Sequence, residues 1–109
     1  AMRNAWAREL TTYLSKRHQI RGLFAVMDIR HAPTVLDEQL VEWFSMTGKP
    51  IHVLLTKSDK LIRSEVQKKL GEVSDILVGQ YAQVTVQVFS SLNRAGLDEA
   101  RAKLIEWLS

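Results

Sequence analysis

The sequence of 109 residues contains no cysteine and only two prolines. Without cysteine, a disulfide framework and any zinc site built from thiolates are excluded. The lack of cysteine is also typical of a reducing compartment, so we expect a cytoplasmic protein. Long apolar runs are missing as well, whereas a membrane-spanning helix needs about 20 consecutive apolar residues. We therefore expect no association with a membrane.

Residue patterns that would indicate catalysis or metal binding are also scarce. The three histidines, His18, His31 and His52, do not have the spacing of metal ligands. We find no arrangement that resembles a serine–histidine–aspartate triad or a catalytic pair of carboxylates. The sequence therefore predicts no catalytic residue and no metal ligand, and it predicts a structural or surface position for each histidine.

The composition is that of a single small globular domain over residues 1–109. Hydrophobic residues make up 46% of the chain and charged residues 25%, which are ordinary values for such a domain. The formal net charge of +3 permits contact with nucleic acid but does not require it.

Hydrophobic periodicity predicts a helix followed by three strand–helix units. Capping boxes are predicted at the start of the second and third helices, one from Thr34 with Asp37 and one from Ser64 with Gln67. The first helix, the three strands and the last helix are predicted at residues 3–17, 23–27, 51–55, 84–89 and 97–108.

The strands differ in their patterns. Leu23 to Met27 is a continuous apolar run, which predicts a strand buried on both faces, as in the centre of a sheet from which one neighbour is missing. In the third strand valines alternate with Thr85 and Gln87, which is typical of an edge strand. We predict an α/β fold of three layers, helix, sheet and helix, with three parallel strands, four helices and right-handed crossovers.

Polar residues follow each predicted strand, where open α/β sheets bind their ligands. After the second strand stands Thr56-Lys57-Ser58-Asp59, which matches the Asn/Thr-Lys-x-Asp pattern of guanine-nucleotide-binding proteins. Guanine presents two adjacent donors, N1–H and the exocyclic amine, and one carboxylate accepts both, so Asp59 is the candidate base reader. The stem of Lys57 is expected to lie along the base, and the Thr56 hydroxyl to tie the loop to its neighbours. The alternative is that Lys57, Asp59 and Lys60 are solvated loop charges.

A second loop is predicted to supply a hydrogen-bond donor for the base. Guanine O6 is an acceptor, and a short serine-rich loop with main-chain N–H groups would donate to it. Phe89-Ser90-Ser91-Leu92 ends the third strand and resembles the Ser-Ala-Lys loop of GTPases, although Leu92 replaces the usual lysine. The donor is expected near Ser91 and Leu92. At the end of the first strand, an ion pair between Asp28 and Arg30 that fixes a loop is expected.

These motifs together resemble the EngB/YsxC family of bacterial GTPases. The segments that carry the resemblance are Met27-Asp28-Ile29-Arg30-His31, Leu55-Thr56-Lys57-Ser58-Asp59-Lys60-Leu61 and Phe89-Ser90-Ser91, with Trp43 and Trp107 between and after them. The resemblance runs over essentially the whole chain. It implies a cytoplasmic protein that binds GTP and GDP with Mg²⁺, acts in assembly of the large ribosomal subunit and is linked to normal septation.

The family's phosphate loop, G-x-x-x-x-G-K-S/T, is absent from this sequence, and so are its switch threonine and its Asp-x-Pro-Gly segment. The chain therefore resembles the C-terminal half of the domain, and we expect no GTP hydrolysis and no tightly bound nucleotide. Engineered truncation, proteolysis and a natural split would each explain the absence. The missing N-terminal half, or a second copy that pairs strand edges or exchanges the first helix, is the expected partner.

Two other classes of protein compete with this interpretation. One is a flavodoxin-like or receiver-like interaction module without nucleotide, although the acidic pair that a receiver domain needs near its first strand is missing. The other is an RNA-contacting fragment that uses the basic residues Arg30, Lys57, Lys60, Arg63, Lys68 and Lys69.

Overall fold

The computed structural model describes residues 21–108. Three strands alternate with three helices: β1 (Leu23–Asp28), α1 (Val35–Ser45), β2 (Ile51–Thr56), a short 3-10 turn (Ser58–Lys60), α2 (Arg63–Leu77), β3 (Val84–Val88) and α3 (Leu97–Leu108). The predicted helix over residues 3–17 lies outside the described residues. No helix within 21–108 is both long enough and apolar enough to cross a membrane.

The strands form one parallel sheet in the order β1-β2-β3. Parallel neighbours need crossover connections, and α1 and α2 provide them. Leu23 pairs with Ile51, and Asp28 pairs with Thr56 at the other end of the same ladder. The predicted α/β fold is confirmed, and the register brings the carboxyl ends of the strands to one edge of the sheet.

The main core lies between one face of this sheet and the two helices α1 and α2. Alternate strand residues point to that face because side chains alternate along a strand. Phe44 and Val41 from α1 meet them, as do Val73 and Leu77 from α2, and all four are almost fully buried. The strand residues of this core are Ala25, Met27, Ile51, Val53, Leu55 and Val84.

The opposite face, toward α3, combines aromatic rings with a polar network. The ring of Phe24 lies 5.0 Å from that of Trp107 in an edge-to-face contact and 5.4 Å from that of His52. His52 is buried, with Nδ1 2.6 Å from Thr85 Oγ1 and Nε2 2.6 Å from Gln87 Oε1. The structural position predicted for this histidine is confirmed.

Two details of the sequence prediction are wrong. β1 is not buried on both faces, since Val26 is 64% exposed. β1 forms an edge of the sheet built by residues 21–108. Trp107 of α3 contacts the ring of Phe24, whereas Val26 on the same face stays mostly exposed.

The second error concerns a helix start. Thr34 and Asp37 form the predicted capping box, with hydrogen bonds of 3.1 and 2.8 Å. Ser64 does not cap α2, because the helix already begins at Arg63. The extended N-cap position is taken by Ile62, which makes no side-chain capping bond.

Candidate functional site

The candidate site lies where the three strands end, and main-chain hydrogen bonds join its loops. Ile29 N–H donates to the Thr56 carbonyl at 3.0 Å, which links the end of β1 to β2. Phe89 N–H donates to the Leu55 carbonyl at 2.8 Å, and Ser58 N–H donates to the Phe89 carbonyl at 3.4 Å. The loops predicted to read guanine are therefore held side by side.

Asp59 and Ser90 meet across these loops. The Ser90 hydroxyl donates to Asp59 Oδ1 at 2.7 Å, and Ser90 is fully buried. This hydrogen bond lowers the pKa of Asp59, and the charge of Lys60, whose Nζ lies 3.9 Å from Oδ2, acts in the same direction. Asp59 is therefore an ionised acceptor at neutral pH. A carboxylate offers about four lone-pair sites, so one bond to Ser90 leaves acceptor capacity for a ligand.

Lys57 adopts a backbone conformation that is uncommon for a residue with a side chain. Its φ of 63° and ψ of 34° lie in the left-handed region, where non-glycine residues are infrequent and cluster at functional sites. Its side chain is 57% exposed, with Nζ 3.7 Å from Asp28 Oδ2. The turn thus places the lysine at the carboxyl ends of the strands, beside the end of β1.

Thr56 ties the second strand to the first. Its hydroxyl donates to the Met27 carbonyl at 3.2 Å. Ser58 follows Lys57 and opens the 3-10 turn that carries Asp59. The Thr56 hydroxyl fixes the strand end, and the turn directs the Asp59 carboxylate toward the β3 loop.

The loop after β3 is closed by its own hydrogen bonds. Ser90 N–H donates to the Ala95 carbonyl at 2.9 Å, and Ala95 N–H donates to Asn93 Oδ1 at 3.1 Å. Leu92 lies at the tip with its side chain 76% exposed. The Leu92 side chain therefore adds little to the core.

The predicted ion pair between Asp28 and Arg30 is confirmed. Arg30 Nη2 donates to Asp28 Oδ2 at 2.8 Å, while Nε and the main-chain N–H donate to Oδ1 at 3.1 and 2.9 Å. These bonds hold the pKa of the Asp28 carboxyl well below its usual range. Sequence reasoning placed this pair outside the candidate site. The pairing of Asp28 with Thr56 across the sheet is the feature that puts its carboxylate next to Lys57.

Comparison with solved structures defines the class of fold. Translation elongation factor SelB from Methanococcus maripaludis, in its apo form, matches with a TM-score of 0.76 at 19% identity, over 97% of this chain and 24% of SelB. The same factor in complex with the GTP analogue GPPNHP gives a TM-score of 0.74 at 21% identity, over 94% and 23% of the two chains. The fold of this chain therefore matches that of a part of SelB.

Comparison with curated proteins finds relatives that share one name. The Probable GTP-binding protein EngB of Nitrosomonas eutropha is 48% identical over 107 residues, which are 98% of this chain and 48% of the relative. Proteins of the same name from Methylobacillus flagellatus and Hydrogenovibrio crunogenus are 45% and 42% identical, over 99% and 97% of this chain and 52% and 50% of their own lengths. No protein-family model matches the chain.

The chain thus spans about half the length of the curated relatives it matches. The resemblance to the EngB family is confirmed over that stretch, and this chain is homologous to about half of an EngB protein.

Proposed function

We propose that residues 1–109 form the C-terminal half of a GTP-binding domain and carry the part of its site that reads the guanine base. The observation that carries the proposal is the ionised Asp59 carboxylate, fixed by the buried Ser90 hydroxyl at the joined ends of β2 and β3. The names of the curated relatives, GTP-binding protein EngB, support it.

In the proposed complex the Asp59 carboxylate accepts the N1–H and the exocyclic amine of guanine. Adenine presents no such pair of donors, so the same contact gives base selectivity. Main-chain N–H groups near Ser91 and Leu92 donate to guanine O6. The other residues assigned to the base-binding loops are Thr56, Lys57, Ser58, Phe89 and Ser90.

Phosphate chemistry belongs to the other half of the domain. In P-loop GTPases a G-x-x-x-x-G-K-S/T loop cradles the phosphates, and Mg²⁺ bridges their oxygens. That loop is absent from this sequence. Residues 21–108 also contain no group of three or more histidine and carboxylate side chains that could hold a metal ion. We expect that this chain alone does not hydrolyse GTP. We also expect a dissociation constant for GTP of about 1 mM or weaker, which corresponds to a binding free energy of at most about 4.1 kcal/mol.

The complete protein, by resemblance to its family, is a cytoplasmic GTPase that acts in large ribosomal subunit assembly and normal septation. An RNA-contacting role for this chain is less well supported. Arg30 and Lys57 already face the Asp28 carboxylate, and Lys60 faces Asp59. Their positive charges are thus partly compensated within the chain.

The missing N-terminal half is the proposed partner of β1. A sheet edge with unpaired main-chain groups is a ready site for another strand, and the exposed Val26 lies on that strand. Residues 1–109 alone should therefore associate at micromolar concentration, as a twofold dimer or by exchange of the first helix. Light scattering during size-exclusion chromatography tests this, and a clean monomer of 12.4 kDa would contradict it.

The test of base recognition is Asp59→Asn in the complete protein. Xanthine carries an oxygen where guanine carries its amine, and an asparagine amide donates to that oxygen. A hydrogen bond to a charged group contributes roughly 1.5–3 kcal/mol, so GDP affinity should fall at least about tenfold while affinity for xanthosine diphosphate rises. Asp75→Asn, an exposed aspartate on α2, is the control. Unchanged GDP binding by Asp59→Asn would show that another group reads the base.

A further inference from the structure

We propose that Asp28 and Arg30 are positioning residues of the nucleotide site, and that they act together to place the Lys57 ammonium group beside the guanine nucleotide. The proposal rests on the proposed function, since it assigns two further residues to the same base-reading site. Neither residue is needed for the motif that identifies the site, and both lie on β1 or the turn that follows it.

The Asp28 carboxylate is held in one orientation by three donors. Arg30 reaches both oxygens, with Nη2 2.8 Å from Oδ2 and Nε 3.1 Å from Oδ1, and its main-chain N–H lies 2.9 Å from Oδ1. The turn itself is closed by His31 N–H and Ala32 N–H, which donate to the Asp28 carbonyl at 3.0 and 2.9 Å. A bidentate arginine adds geometric specificity as well as energy, so the carboxylate has little freedom to rotate.

The Lys57 ammonium lies near this fixed carboxylate but does not form a short hydrogen bond with it. Nζ is 3.7 Å from Asp28 Oδ2, whereas a charge-assisted N–H···O bond is about 2.7–2.9 Å long. The lysine side chain is also 57% exposed, so burial does not fix it. Attraction by Asp28 orients the ammonium, and its three donors stay available to the nucleotide.

Arg30 explains why Asp28 does not capture the lysine. Its bonds take up both carboxylate oxygens on one side, and its charge offsets the attraction that a lone carboxylate would exert at this distance. Without Arg30, the Lys57 ammonium would move onto the Asp28 carboxylate. Asp28 would then compete with the nucleotide for the donors of the lysine. Without Asp28, the exposed lysine would lose its orientation. Removal of either residue should therefore weaken nucleotide binding through Lys57.

The experiment is a set of double-mutant cycles in the complete protein, with GDP affinity measured by calorimetry. Arg30→Ala and Asp28→Asn should each weaken GDP binding about three- to tenfold, which lies in the lower part of the range of coupling between residues in one network. Arg30→Ala should have no further effect in protein that already carries Asp28→Asn or Lys57→Ala. Arg101→Ala, an exposed arginine on α3, should leave affinity unchanged.

Two readouts separate positioning from folding and from base recognition. The preference for GDP over xanthosine diphosphate should stay intact in Arg30→Ala, because Asp59 is untouched. If Arg30→Ala weakens binding equally in the wild-type and Lys57→Ala backgrounds, Arg30 does not act through the lysine and the proposal is overturned. If Asp59→Asn also leaves the preference for GDP over xanthosine diphosphate unchanged, the proposed function fails together with the positioning role of Arg30. If Asp59→Asn changes that preference as expected, only the positioning role of Arg30 is refuted.

Discussion

The two faces of the sheet are packed in different ways. Toward α1 and α2, side chains such as Phe44 and Leu55 are apolar and almost fully buried. Toward α3, His52 and Gln87 are just as buried but hydrogen-bonded to each other. Apolar contacts are non-directional, so the first face stabilises the fold through the apolar area that it buries and the volume that its side chains fill. Buried polar groups must be paired, so the second face favours one register between β2, β3 and the loop before α3.

A cavity on the apolar face should have the largest effect. Phe44→Ala removes a large buried side chain from α1, and such substitutions cost about 3–5 kcal/mol because the site collapses only partly. Urea unfolding followed by circular dichroism measures the loss in the free energy of unfolding. Leu36→Ala, an exposed residue on the same helix, should change it by no more than about 0.5 kcal/mol. Similar losses at both positions would mean that α1 does not pack as described.

The polar face should respond to the loss of one partner more than to the loss of both. Gln87→Met leaves His52 Nε2 without its acceptor and removes the bonds from Gln87 Nε2 to the Val88 and Gly96 carbonyls. A buried group left unpaired costs about 1–3 kcal/mol. Adding His52→Phe should recover part of this loss. The same unfolding experiment measures both variants, and a double variant less stable than Gln87→Met would contradict a closed network.

The capping bond of α1 should have an intermediate effect. Thr34→Ala removes the acceptor for Asp37 N–H, and loss of such a cap costs about 1 kcal/mol. Ser64→Ala at the start of α2 is the matched control, because Ser64 lies inside the helix and does not cap it. Its effect should stay within about 0.5 kcal/mol. Equal losses in thermal unfolding would show that Ser64 caps α2 after all.

The smallest expected effect is a pH dependence of the free energy of unfolding, caused by Asp28 at the end of β1. The pKa of Asp28 is lowered by its bonds to Arg30. Ionised Asp28 therefore stabilises the folded state at pH values above the ordinary pKa of an aspartate carboxyl group. This stabilisation is lost as the pH falls toward the lowered pKa of the folded state. Asp28→Asn should therefore differ most from wild type at neutral pH and converge with it under acid. A difference in unfolding free energy that does not change between pH 7 and pH 3 would contradict this.

The fold could be predicted because its signals are local. Continuous apolar runs, the Thr34 capping box and the alternation in β3 each need only a few neighbouring residues. The exposure of Val26 could not be predicted, because it depends on what covers β1 from elsewhere in the structure. The start of α2 was missed because serine is a favoured N-cap residue and isoleucine is not, whereas the extended backbone in the structure puts the N-cap at Ile62.

The candidate site was predicted in its parts but not in its connections. The motif around Asp59 and the loop around Ser90 could be singled out because a guanine site would need an acceptor and a donor at fixed places. The proximity of Asp28 to Lys57 depends on the β1–β2 register, which spacing along the chain does not reveal. In the sequence, Gln87 is one polar residue of a mixed strand face, which suggests exposure. It can be buried because its side chain forms hydrogen bonds with His52 and with the Gly96 carbonyl.

The loop between β3 and α3 is fixed at both of its ends. Gln87 Nε2 donates to the Gly96 carbonyl at 2.8 Å, and Ser90 N–H donates to the Ala95 carbonyl at 2.9 Å. Gly96 itself has a φ of +80° and no room for a side chain against Val88. Evolution can therefore vary the identity of the exposed tip at Leu92, but an insertion or deletion would break these bonds. Related sequences should diverge here by substitution, with the length of the loop retained.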